Sequence, residues 1–281
     1  DVESRGLGDV YKRQPVLQPE KLRDPEFLAA VRALQPDLGI VIAFRMLPEA
    51  VWALPRLGTF NLHASLLPQY RGAAPINWAL INGETCTGVT TFLLNHEIDK
   101  GAILAQRTEP IRPDDNAGTL YERLMRIGAE LVTQTVERIA AGDLQPVEQS
   151  PAGEETLRPA PKIFRENCEI DWSETGERIV NLVRGLAPYP AAWTTIRLDG
   201  EEIATIKIYE AHFEPGGGYG SCGTICSDGR SFLSVRCRDG AVRIESLQMA
   251  GKRRMQAREW LAGFRDPEQY RFGNDPASQR P

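Results

Sequence analysis

The chain has 281 residues, 42% of them hydrophobic and 25% charged, a balance that excludes a disordered or fibrous protein and suits one large domain or two ordinary ones. The formal net charge of −5 does not advertise a nucleic-acid binder, and the longest apolar runs, such as Leu38 to Phe44, are too short to span a bilayer. No charged-then-apolar leader opens the sequence, so a cytoplasmic protein with no membrane partner is expected.

Taken in order, Asp1 to Gln14 has neither a helical nor a strand period. It resembles a translated adapter, and residues 1–14 are set aside as a non-native scar. Pro25 to Pro36 reads as a helix with Leu28, Val31 and Leu34 on one stripe. Leu38 to Phe44 is short, apolar and rich in β-branched residues, the signature of a strand buried on both faces in a parallel sheet. A second strand is expected at Thr59 to Ser65, a helix at Ala74 to Ile81 started near Pro75, and strands at Gly88 to Leu94 and Ala102 to Gln106. A long helix follows, with a T-x-x-E capping box at Thr119 and Glu122. Its stripe is Leu120, Leu124, Ile127, Leu131 and Ile139, and Gly142 stops it. This order predicts an α/β domain over residues 15–150.

Residues 151–161 read as a linker. Residues 158–281 hold 18 Lys or Arg against 17 Asp or Glu, a net of +1. That leaves 15 against 21, or −6, for residues 1–157, an asymmetry that hints at two domains. Beyond the linker come a helix at Ser173 to Leu186 and five short strands between Ala192 and Met249. Three Asp-Gly pairs, at 199–200, 228–229 and 239–240, signal hairpins, and a last helix lies near Gln256 to Phe264. Such grammar predicts a small β-barrel over residues 162–270, followed by a tail at 271–281. Cys86, Cys168, Cys222, Cys226 and Cys237 read as reduced thiols, with a zinc site at Cys222 and Cys226 the weaker alternative.

The densest chemistry is in Asn61 to Pro75. Asn61 and His63 share a strand face by the two-residue period, at the end of a strand that faces the ligand crevice of a parallel sheet. An amide beside an imidazole suits oxyanion stabilisation and proton transfer, although an isolated N-x-H is more often a satisfied structural pair. Asp99 falls in the turn between two strands, as a turn former or as an acid–base partner of His63. Lys252, Arg253 and Arg254 read as a solvated basic turn or as contacts to phosphates.

Three motifs together, NxHxSLLPxxRGxxP from Asn61, TGVT at Thr87 to Thr90 and the D-x-G turn at Asp99, resemble the 10-formyltetrahydrofolate-dependent formyltransferases. In the second half APKIF, IDWS, GLAPYPAAWT and GKRRMQAREWLAGFR resemble the methionyl-tRNA formyltransferase branch, the likeness running from about Pro15 to Arg265. The resemblance implies a Rossmann-like domain, incomplete at its N-terminus, followed by an OB-like barrel. It also implies formyl transfer from 10-formyltetrahydrofolate to the α-amine of initiator methionyl-tRNA. Asn61, His63 and Asp99 are then the catalytic trio and Ser65, Leu66, Leu67 and Pro68 the folate contact. Lys162 and Lys252 to Arg254 become contacts to tRNA, and neither a metal nor a protein partner is implied. Likeness to the family begins only at its third strand, which implies a hydrophobic edge left open at Leu38 to Phe44 and a chain that folds poorly as it stands. A formyltransferase acting on a sugar-nucleotide amine, a formyltetrahydrofolate hydrolase, and an RNA-binding module with an inactive enzyme half are the alternatives.

Overall fold

A computed structural model describes residues 14–149, 156–216 and 220–273. The expected scar, Gln14 apart, and positions 274–281 of the expected tail lie outside the described residues.

The first unit begins with helix α1 (Pro25–Ala33), whose N-terminal amides at Glu26 and Phe27 donate to the Asp24 carboxylate. Strand β1 (Gly39–Ile42) runs parallel to β2 (Thr59–His63), and α2 (Glu49–Trp52) lies in the crossover between them. Helix α3 (Pro75–Ile81) leads to β3 (Cys86–Leu93) and β4 (Ile103–Pro110), which extend the sheet antiparallel in the order β1-β2-β3-β4. The 25-residue helix α4 (Ala117–Ala141) then packs back over β3 and β4.

Two local expectations need correction. The run Leu38 to Phe44 gives a shorter strand than predicted, and it is not buried on both faces. Val41 is 8% exposed, but Ile40 and Ile42 are 46% and 54% exposed. β1 is the edge strand among the described residues, and the face that Ile40 and Ile42 share by the two-residue period is uncovered, so both side chains stand in water. The cap of α4 also lies one turn earlier than the T-x-x-E pattern suggested. Asn116 is the N-cap and Thr119 is its reciprocal partner, each side chain accepting from the other's backbone N–H at 3.0 Å. Leu120, Leu124 and Leu131 form the buried stripe as expected, and Gly142 ends the helix in the left-handed conformation.

The second unit contains α5 (Gly176–Leu186), β5 (Ala192–Leu198), β6 (Glu201–Pro215), β7 (Ile225–Ser227), β8 (Leu233–Cys237) and β9 (Gly240–Met249). These are followed by β10 (Met255–Gln256), α6 (Ala257–Gly263) and β11 (Tyr270–Phe272). The strand path is β11-β5-β6-β9-β8-β7, with β10 on the side of β9. Its two ends nearly meet: Thr224 bridges Arg271, and the Phe272 N–H donates to the Gly223 carbonyl at 2.8 Å. The result is a nearly closed barrel around Ile196, Ile206, Ile208, Leu233, Ile244 and Leu247. Asp199 and Gly200 both take positive φ in the first hairpin, as a tight Asp-Gly turn requires. In the third, Cys237 pairs with Gly240, so Arg238 and Asp239 make the turn and the glycine opens the next strand.

The two units are joined along α3 and α5. The absence of a side chain at Gly185 permits the approach, since a Cβ there would stand 2.6 Å from Ile81 Cγ1, and Asn77 donates its amide to the Gly185 carbonyl at 2.7 Å. The chain end expected as a linker is held too. Ala160 is fully buried in the first unit's core, and residues 158–160 lie along the Tyr70–Ala74 loop through main-chain hydrogen bonds.

Near this junction Asp115, 3% exposed, accepts from both Arg123 terminal nitrogens at 2.5 and 2.6 Å, from the Arg112 N–H and from Thr119 Oγ1. Burial alone pushes a carboxyl up, but these donors, Arg123 foremost, hold Asp115 below the usual carboxylate range. Stability from a depressed pKa is present above the unfolded value and is lost as pH falls through the folded one. Asp115→Asn should therefore cost up to about 3 kcal/mol near neutral pH in urea denaturation. The gap from wild type should close as the solution is acidified. A gap that stays constant to acid pH would remove this carboxylate from the acid response.

Candidate active site

The candidate site sits at the C-terminal end of β2. Asn61 and His63 alternate out of the same strand face, His63 7% exposed and Asn61 half-buried. His63 Nε2 lies 2.8 Å from the Tyr70 carbonyl. A carbonyl only accepts, so Nε2 carries the hydrogen, and Nδ1 is the nitrogen left for chemistry. Nδ1 points at Asp99 Oδ2, 3.9 Å away. That separation is too long for a direct hydrogen bond, and in neutral His63 it sets a lone pair opposite a carboxylate. A group that fits between two acceptors carries hydrogens, as an amine or a water does.

Two backbone turns create this apposition. Tyr70 and Asp99 both adopt the left-handed region, at φ 59° and 55°, and Gly72 follows at φ 127°. Non-glycine residues there are held by their surroundings. The Tyr70 ring is buried, and its hydroxyl donates to Glu84 at 2.6 Å. The Gly72 N–H donates to Asp99 Oδ2 at 2.8 Å. Glycine is needed at 72, because a Cβ would stand 2.3 Å from the Ala160 carbonyl oxygen.

The segment Ser65 to Pro68 forms the adjoining wall. Ser65 and Leu67 are buried, and the Ser65 hydroxyl donates to the Gln69 carbonyl at 2.6 Å, which leaves Leu66, Pro68 and the backbone as contact surface. Thr90, fully buried on β3, secures this wall. Its hydroxyl donates to the Ser65 carbonyl at 2.7 Å and accepts from the Leu67 N–H at 3.2 Å and from Gln106 Nε2 at 3.0 Å. Gln106 also donates to the Leu67 carbonyl at 2.8 Å.

Of the expected site residues, Asn61, His63, Asp99 and Ser65 to Pro68 thus belong to one neighbourhood. Lys162 and Lys252 to Arg254 stand apart from it, exposed on the second unit's side of the molecule. Lys162 lies over the Phe164 ring at 5.6 Å. Arg253 pairs with Glu259 at 2.8 Å. Arg254 pairs with Glu210 at 2.6 Å and stacks on Tyr209 at 4.5 Å, so part of the cluster's charge is already matched. His96, close to Asp99 in sequence, is exposed and stacks edge-on against Trp52 instead. Sequence reasoning missed the Tyr70 carbonyl, Thr90, Gln106 and Gln149. Only Thr90 left a trace, as the last residue of the TGVT motif. Among the described residues no cluster of three or more His, Cys, Asp or Glu side chains suits a metal ion, and no helix is long and apolar enough to cross a membrane.

This geometry places an amide, an imidazole and a carboxylate around one crevice, and the comparisons with known proteins give the family. The family model for formyl transferases matches residues 3–136 and the model for the formyl transferase C-terminal domain matches 162–265, so the chain belongs to the formyltransferase family. It is 54% identical to the methionyl-tRNA formyltransferase of Parabacteroides distasonis over 262 residues, 92% of this chain and 81% of that protein. It is 48% identical to that of Flavobacterium johnsoniae over 249 residues, 89% of this chain and 78% of that one. Among solved structures, HypX from Aquifex aeolicus in complex with tetrahydrofolic acid shares the fold, with a TM-score of 0.61 at 24% identity over 86% of this chain and 42% of that one. The sugar 3N-formyl transferase WlaRD shares it with a TM-score of 0.58 at 18% identity, over 79% of this chain and 77% of that one.

Because Thr90 serves one carbonyl and two donors at once, Thr90→Val should cost about 1–3 kcal/mol in chemical denaturation, since it strands buried polar partners. It should also loosen the Ser65–Pro68 wall, read as faster amide exchange at Leu67. Unchanged exchange there would mean the wall is held without the hydroxyl.

Proposed function

We propose that the protein transfers a formyl group from 10-formyltetrahydrofolate to the α-amine of methionine on initiator methionyl-tRNA. The observation that carries the reaction type is the His63 Nδ1 to Asp99 Oδ2 gap of 3.9 Å at the end of β2, two acceptors set to hold an amine N–H. The substrate assignment rests on the likeness to methionyl-tRNA formyltransferases at about half identity across most of both chains.

In this reading the amine nitrogen attacks the formyl carbon while one of its protons passes to His63 Nδ1. Asp99 stabilises the imidazolium so formed. The carbonyl oxygen becomes an oxyanion, which accepts from the Asn61 carboxamide; that carboxamide makes no other hydrogen bond among the described residues. As the bond from the formyl carbon to the folate nitrogen breaks, the proton held at Nδ1 goes to that nitrogen. The Tyr70 carbonyl fixes the tautomer throughout, so the same nitrogen takes and returns the proton. Leu66, Pro68 and the neighbouring backbone supply an apolar wall for the folate ring, and Lys162 with Lys252 to Arg254 supply phosphate contacts to the tRNA.

The direct test offers the full-length protein either charged initiator tRNA or a sugar-nucleotide amine, with 10-formyltetrahydrofolate in both cases. Formylation of the tRNA alone is expected, and transfer to the sugar amine alone would overturn the substrate assignment. With little change in folate affinity, Asn61→Ala should lower kcat by about 10²–10³, the range for loss of one oxyanion donor, and His63→Ala by about 10²–10⁴, the range for loss of a general base. Asp99→Asn should fold normally and lose most activity; an active variant would make Asp99 a turn former only. Replacing Lys252, Arg253 and Arg254 together by Ala should raise KM for tRNA and flatten its salt dependence, leaving folate affinity unmoved. Because Arg253 and Arg254 already carry acidic partners, the slope should fall by less than three full phosphate contacts.

A further inference from the structure

After α4 the chain returns to the sheet and pairs at the rim of β4, with the Ile103 N–H donating to Val147 O at 2.7 Å and the Val147 N–H to Ile103 O at 2.8 Å. Two residues later it reaches the Asp99 turn. There the side chain of Gln149, half-buried, uses all of its polar capacity. Its Nε2 donates to the carbonyls of Asp99 at 2.9 Å and Gly101 at 2.8 Å, and its Oε1 accepts from Arg71 Nε at 3.1 Å and Nη2 at 2.7 Å. One carboxamide thus clamps the turn that carries Asp99 to the loop that carries Tyr70 and Gly72, from a position 50 residues beyond Asp99.

We propose that Gln149 is a positioning residue for the transfer reaction, setting the Asp99 carboxylate at its station opposite His63; the catalytic part of this inference rests on the role proposed above for Asp99. Asp99 holds a left-handed backbone, a conformation aspartate tolerates better than most non-glycine residues, and the direction of its Cα–Cβ bond follows that backbone. The two carbonyls bonded by Nε2 flank the peptides on the C-terminal side of Asp99, so Gln149 fixes the orientation of those peptides. Gly101 itself lies close against the Leu93 carbonyl, where a Cβ would collide. The other end of the clamp orients Arg71, whose neighbour Gly72 donates to Asp99 Oδ2. Gln149 therefore acts on the carboxylate from both sides, through its backbone and through its hydrogen-bond donor. The chemistry requires an amide. A carboxylate at 149 would strengthen the Arg71 contact but turn two donors into two acceptors facing carbonyl oxygens.

The test uses full-length protein carrying Gln149→Ala, Gln149→Glu, Asp99→Asn, or Asp99→Asn with Gln149→Ala. Amide exchange at Gly72 reads the position of Asp99 without reference to activity. It should speed up in both Gln149 single variants, because the Gly72 N–H loses its partner. In formyl transfer, both single variants should lose about ten- to a hundredfold in kcat, the scale of an ångström misplacement, with folate KM within about twofold. Gln149→Glu should be no better than Gln149→Ala although it keeps size and the Arg71 contact. On the Asp99→Asn background, Gln149→Ala should have no further effect on rate. Unchanged Gly72 exchange in Gln149→Ala, a normal kcat in that variant, or losses that simply multiply in the double variant would each overturn the proposal. A fully active Asp99→Asn protein would instead refute the role given to Asp99, and Gly72 exchange would still decide whether Gln149 positions it.

Discussion

The hydrogen bond from His63 Nε2–H to the Tyr70 carbonyl organises the site. It exists only because Tyr70 is held in the left-handed region, and the surroundings that hold it there come from distant parts of the chain. The ring is anchored by Glu84, in the turn before β3, and Arg158 pairs with the same carboxylate at 2.9 Å. The Tyr70 N–H donates to the Arg158 carbonyl at 2.8 Å, and the Ala160 N–H to the Arg71 carbonyl at 2.8 Å. One side-chain tautomer thus depends on a strand, a turn and the segment that leaves the first unit. In return, the imidazole needs no further partner to keep Nδ1 free and aimed at Asp99.

Polar groups, not apolar ones, do the fine positioning here. The core under the sheet is ordinary: Phe60, Phe92, Leu80, Leu120 and Leu124 fill it, and Gly128 lets Leu62 close against α4. What gives the crevice its shape is a set of hydrogen-bonded side chains: buried Thr90 with Gln106 beside the Ser65–Pro68 wall, half-buried Gln149 behind the Asp99 turn, and buried Asp115 at the head of α4. The buried members are the costliest to disturb, because their partners are shielded from water. The same logic joins the units, where Asn77 reaches the Gly185 carbonyl across a contact made close by the missing side chain at 185.

Much of this was legible in the sequence, for identifiable reasons. Asn61 and His63 are two apart on one strand, so their shared face follows from strand geometry alone. The buried stripe of α4, its glycine stop and the alternating strands of the barrel follow from period and turn chemistry. Asp99 was legible only through the family motif, since its meeting with His63 spans 36 positions of chain and two left-handed turns that no local rule supplies. Gln149 was invisible, being one amide in a polar stretch that reads as the approach to a linker. The cap of α4 misled for a simpler reason. Thr119 belongs to a capping box, but as the third helical residue answering Asn116, and the two patterns look alike without coordinates. At Leu38 to Phe44 composition promised full burial, yet burial belongs to the neighbours a strand has and not to its residues alone.

The bridge between Ala160 and Gly72 gives the molecule an unusual seam. By composition the first unit ends in the polar stretch after α4, where a chimera would naturally be cut. By contact it ends after Ala160, because residues 158–160 brace the Tyr70–Ala74 loop as much as they lead out of the unit. A barrel grafted from another protein with its own incoming segment would therefore replace part of the scaffold behind His63. Exchange of second domains, by recombination in nature or at the bench, preserves the chemistry only where the graft begins at Pro161 or later, or where the incoming segment restores the same main-chain bonds to Tyr70, Arg71 and Ala74.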